Sequence, residues 1–182
     1  PRVSHSNAQP HPSPTPSPTA SVPSPPASVP PTVTTTPASA GGVDIYSWLP
    51  FTQQGLAAAA AVTQKFLVDY NTYSYTESAA DYVARMNGLI TTEEATTLKG
   101  LYATPGVAKI RTDQKQVSTG TAAITALRTF GPSSLTFIAT GTQHLATAKG
   151  TSSGSAQYAV TVTGSGTSWQ VSDIELSSVG QS

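Results

Sequence analysis

Small and apolar residues recur every three or four positions through "PFTQQGLAAAAAVTQKFLVDY". Leu56, Ala59, Ala60, Thr63, Phe66, Leu67 and Tyr70 share one face at the period of an α-helix. Thr52 suits the N-cap, and Phe51 just before it is placed to staple onto Leu56. The alanine-rich half of this helix is slim, which lets a sheet approach it closely. "SAADYVARM" predicts a second helix, capped by Ser78 with Asp81 returning the cap and Tyr82, Val83 and Met86 facing inward. Gly88 suits the left-handed position after its end. "TTEEATTLKGLY" repeats the grammar. Thr91 is the cap, Glu94 lies three residues on, Ala95, Leu98 and Leu101 form the buried edge, and Pro105-Gly106 ends the helix.

From Gln116 the period changes to two. "QVSTGTAAITALRTF", "SLTFIATGTQHLATA", "AQYAVTVTG" and "SWQVSDIEL" are rich in Thr, Val, Ile and aromatic residues and are separated by short Gly/Ser/Pro turns of hairpin length. The expected architecture is α+β: N-terminal helices packed in the concave face of a curved, mainly antiparallel four-stranded sheet. The last strand poses a question. Strict alternation puts Trp169, Val171, Asp173 and Glu175 on one face, burying two carboxylates at a cost of several kcal/mol. A bulge near Ser172–Asp173 removes the conflict, turning Ile174 and Leu176 inward and the two acids outward as a solvated face.

Composition adds a second region. Residues 1–42 contain twelve of the fifteen prolines among Ser, Thr, Ala and Val, too little apolar surface for a core. An extended, polyproline-like stalk is expected there, with a contour of about 130 Å at about 3.1 Å per residue. Gly41-Gly42 marks the boundary, and residues 43–182 form one domain of ordinary size. The chain has no cysteine, which excludes disulfides, zinc thiolates and thiol catalysis, and no cofactor is implied. Charged residues make up 10% with no net charge, against general nucleic-acid binding. The longest apolar run, Gly55 to Val62, is too short to span a bilayer, and no signal peptide follows Pro1.

Candidate chemistry is sparse. A pocket between helix and sheet would draw on Tyr70, Tyr73, Asp81 and His144, with Asp69, Tyr75 and Tyr82 nearby in sequence. Asp81 is already explained as a helix-start residue, and His144 has no second histidine in the domain. "GTSSG", Gly150 to Gly154, matches a nucleophile elbow only formally, since it lies in a Ser/Gly hairpin rather than between strand and helix. Lys99, Lys109, Arg111, Lys115 and Arg128 fall close together in the chain, a candidate docking patch for an acidic partner or a cell-wall polymer, although a solvated face explains them too. Arg85 is expected to pair with Asp81 one turn away.

The capped helix, "YTESAADYVARMNGLITTE", the strand meander and the closing W-x-V-x-D-I-E together resemble a nuclear-transport-factor-like cone fold. More narrowly, residues 45–178 resemble extracytoplasmic domains of actinobacterial membrane-anchored conjugation and type IV secretion proteins. The resemblance implies a non-catalytic assembly domain without catalytic residues. Its partners would be other subunits of a membrane complex or a second copy, and its tether a transmembrane helix ahead of Pro1. A cone fold acting as a ligand carrier or a cyclase- or isomerase-like enzyme is the alternative. Filling of the concave face by Leu56, Phe66, Phe137 and Trp169 favours the assembly domain, and an open pocket with Tyr and Asp pointing in favours the enzyme.

Overall fold

Thr52 accepts a hydrogen bond from the Gly55 amide at 3.0 Å and so starts helix α1, Gln53–Tyr70, in the computed structural model, which describes residues 48–178. The proline-rich stretch and the boundary at Gly41-Gly42 lie outside the described residues. After α1 come β1 (Tyr73–Ser74), α2 (Ala79–Ala84), α3 (Thr92–Tyr102) and α4 (Pro105–Asp113). Four long strands follow: β2 (Val117–Gly131), β3 (Ser134–Thr147), β4 (Gly150–Ser165) and β5 (Ser168–Leu176). They form one antiparallel sheet in the order β1-β2-β3-β4-β5. Among the described residues the sheet thus has five strands rather than four. The additional one, β1, is two residues paired with Val117 and Ser118, too short for a period to register.

The caps follow the sequence grammar. Ser78 accepts from the Asp81 amide at 3.1 Å while its hydroxyl donates to the Asp81 carboxylate at 2.6 Å, and Thr91 accepts from the Glu94 amide. Helix α3 does end, at Tyr102, before Pro105, but Pro105 has a second role. It opens α4, where its fixed φ and missing N–H suit the first helical position.

Helix α1 crosses all four long strands. Phe66, Leu67, Leu135, Val160, Val162 and Val171 are fully buried between them, each contributing roughly 2 kcal/mol by area. Phe51 packs on Trp169 at 5.5 Å between ring centroids. The C-terminal end of α1 lies very close to the sheet. There the backbone of Val68 and Asn71 lies against Gly120 of β2 with no room for a Cβ.

Strand β5 contains the bulge. Thr161 pairs with Asp173 and Val162 with Val171, leaving Ser172 unpaired. Asp173 and Glu175 are exposed and Ile174 is half-buried, but Leu176 stays 51% exposed rather than turning into the core. The outer edge of β5 is covered at Val171, whose amide donates to the Leu89 carbonyl and whose carbonyl accepts from the Thr91 amide.

Candidate functional site

The face of the sheet covered by the helices is solid at one end and open at the other. Phe66, Phe137 and Trp169 are buried at the filled end, with Leu56 half-buried beside them. At the other end, between α2–α4 and the sheet, lies a cleft of about 320 Å³ with five tyrosines in its lining: Tyr70, Tyr73, Tyr82, Tyr102 and Tyr158. The concave face is therefore filled by hydrocarbon at one end and left open at the other.

Each ring is held from its own element. Tyr82 donates to the Tyr70 carbonyl at 2.8 Å, and Tyr102 donates to the Ser74 carbonyl at 3.2 Å. Their rings stack at 4.1 Å. The guanidinium of Arg111 sits 3.5 Å from the Tyr102 centroid. With Tyr82 against one face of that ring, only the other face is free for a cation so close. Arg111 also donates from Nη2 to the Tyr102 carbonyl. Tyr70 meets Tyr158 edge-on at 5.7 Å. Burial, the largest cause in each case, raises the phenol pKa of Tyr70, Tyr73, Tyr82, Tyr102 and Tyr158, and Arg111 partly opposes it at Tyr73 and Tyr102. The phenols stay neutral donors.

Of the residues singled out by sequence, Tyr70, Tyr73 and Tyr82 line the cleft. Asp81 is exposed at the start of α2, bound to Ser78. His144 follows Gln143, which lines the cleft, and strand alternation turns it to the other face, where its Nδ1 lies 2.8 Å from the Ser153 hydroxyl. "GTSSG" lies within β4.

Arg128 stands apart from the other basic residues. Arg128 lies eleven residues along β2 from Val117, on the order of 30 Å away at the rise of a strand. Lys109 is exposed and paired with Asp113 at 2.7 Å, and Lys115 is exposed in the turn after α4. Arg111 is buried and is in none of the ion pairs among the described residues, which are Lys65–Asp69, Arg85–Glu77 and Lys109–Asp113. Arg85 pairs with Glu77, not Asp81, and also donates to the Thr72 carbonyl at 2.8 Å.

Glu94 has a second role beyond its place in the first turn. It shares the buried face of α3 with Leu98 and Tyr102, and its carboxyl is pushed up to about 7, first by burial and then by the negative charge of Asp173. The spacing Glu94–Leu98–Tyr102 carried that signal. The sequence reading followed Leu101 instead, which is 60% exposed.

No protein-family model matches the sequence, and no curated protein matches it. Solved structures do resemble the fold. An IcmL-like type IV secretion system protein of Legionella pneumophila superposes with a TM-score of 0.54 at 9% identity, over 65% of this chain and 89% of that one. The periplasmic domain of DotI gives a TM-score of 0.53 at 12% identity, over 66% and 93%. A periplasmic fragment of TraM gives a TM-score of 0.46 at 6% identity, over 65% and 94%. With the first two of these proteins the chain shares an α+β fold.

Proposed function

We propose that this chain is the extracytoplasmic part of a membrane-tethered, non-catalytic assembly protein of a conjugative transfer or type IV secretion apparatus. The observation that carries this reading is the fold shared with the IcmL-like protein and the periplasmic domain of DotI over 89% and 93% of their lengths. The cone-fold and actinobacterial resemblance of the sequence points the same way, and a proline-rich stalk suits a domain held away from its anchor. The cleft supports binding rather than proton transfer. Its tyrosines are neutral donors, and Asp81 and His144, the candidate bases, lie outside its lining.

Two measurements test this. The sequence has no cysteine, so Lys149→Cys at the exposed β3–β4 turn gives a single labelling site. A membrane-impermeant maleimide should label it in intact cells. Cross-linking in native membranes should then recover channel or energising subunits of a transfer apparatus. Labelling only after lysis, or cross-links confined to unrelated proteins, would refute the reading.

A further inference from the structure

Helix α4 has an unusual burial pattern. Its only buried residue is a cation, Arg111, while Val107 and Ile110, on the same side of the helix, are 47% and 53% exposed. Leu101 of α3 is 60% exposed, and all three apolar side chains border the tyrosine cleft. A short helix with no buried hydrocarbon of its own presents an apolar face without an intramolecular partner.

The electrostatics of the cleft are equally incomplete. Two guanidiniums, Arg85 and Arg111, flank the stacked Tyr82–Tyr102 pair. Glu77 gives its Oε1 to Arg85, its buried Oε2 has no hydrogen-bond partner and forms no ion pair with Arg111, and Asp113 is taken by Lys109. Arg111 is left with the Tyr102 and Tyr73 rings and one carbonyl, although a guanidinium carries five donors. A buried charge is costly unless an opposite charge or further hydrogen bonds compensate it. A carboxylate entering the cleft would supply both.

We infer that the cleft docks an extended segment of a partner protein, which inserts an apolar side chain among the tyrosines and sets a neighbouring carboxylate against Arg111. Charge complementarity selects an acidic group. The apolar rim formed by Leu101, Val107 and Ile110 selects a polypeptide over a small acid, because these side chains are about half exposed and a ligand confined to about 320 Å³ would leave their outward parts in water. The occupant being a protein rests on the docking role proposed above. The unmatched cation and uncovered rim are features of the chain itself.

The test uses the full chain, with the Arg111 Nε–H and Tyr102 ring signals followed by NMR. The probes are the peptide acetyl-Ala-Leu-Phe-Asp-Ala-amide and its Asn counterpart. The Asp peptide should shift both signals and bind about tenfold or more tightly than the Asn peptide, the scale of one charge-assisted hydrogen bond. Arg111→Gln should remove that preference. Should Arg111→Gln fail to fold, Leu101→Glu at an exposed position supplies the second arm. It places a competing carboxylate on the rim and should weaken the Asp peptide selectively. Equal binding of both peptides, shifts confined to other residues, or no shift up to about 10 mM would overturn the inference. So would a concentration-dependent dimer abolished by Leu101→Glu, which would put a second copy in the cleft. None of these failures touches the labelling and cross-linking results, so the two proposals fail separately.

Discussion

A Cβ on Gly120 would lie 2.5 Å from the carbonyl oxygen of Val68, closer than real Cβ atoms approach any backbone. The end of α1 rests on β2 at this point. The Gly120 amide donates to the Thr72 hydroxyl at 2.9 Å, and the Ser118 hydroxyl donates to the Asn71 carbonyl at 2.6 Å. Gly120→Ala must push the helix off the sheet, because the obstructing atoms are backbone. We expect a loss of about 1–3 kcal/mol in urea unfolding. Gly100→Ala, where a Cβ meets nothing, should be neutral or slightly stabilising, since the site is helical.

Tyr102 combines a stacked ring, a cation contact and a hydroxyl bond, and two substitutions separate them. Tyr102→Phe removes only the bond to Ser74 and should cost about 1 kcal/mol. Tyr102→Leu also removes the surface on which Arg111 rests, leaving a buried guanidinium without its ring. Its cost should be about 3 kcal/mol, read by denaturant titration of both variants. Equal losses would mean that the hydroxyl, not the ring, fixes the stack.

How much of this was legible in the sequence follows from the range of each interaction. Caps are local, so Thr52, Ser78 and Thr91 were readable from three or four neighbours. The bulge at Ser172 was readable because burying two carboxylates costs more than one unpaired strand position. Helix α4 was not legible, because a Pro-Gly pair just past the end of α3 reads as a stop, and its second use, opening a further helix, depends on α4 finding a place beside the cleft. Leu101 misled because Ala95-Leu98-Leu101 and Glu94-Leu98-Tyr102 are adjacent stripes on one helix. Composition favoured the first, and the stack of Tyr102 on Tyr82 chose the second. The burial of Arg111 could not be read locally at all. It is set by a ring nine residues earlier on another helix, with Lys109 taking Asp113, the nearest acid in sequence.

Asp173 and Glu175 are both exposed on β5 beyond the bulge. Asp173→Asn combined with Glu175→Gln should therefore shift Tm by no more than about 2 °C, as for surface changes generally. A drop of about 10 °C in a thermal melt would mean that the acids hold the edge strand in register.

Glu94 links that edge to pH. Its carboxyl sits at about 7 in the folded chain against an ordinary 4.5, raised by burial and then by Asp173. Below the ordinary value the group is protonated in both states and costs nothing. Between 4.5 and about 7 the unfolded chain releases the proton while the folded chain holds it, so this group's contribution to stability falls as pH rises, and levels off above that window. The loss should be on the order of 2 kcal/mol. Because other carboxylates titrate in the same range, the measurement is the difference between the chain and Glu94→Gln across pH 4 to 8. Glu94→Gln should gain on the parent as pH rises. Asp173→Asn, which removes the second cause, should shorten the window from its upper end. Parallel stability curves for parent and Glu94→Gln would show that water reaches this carboxylate freely.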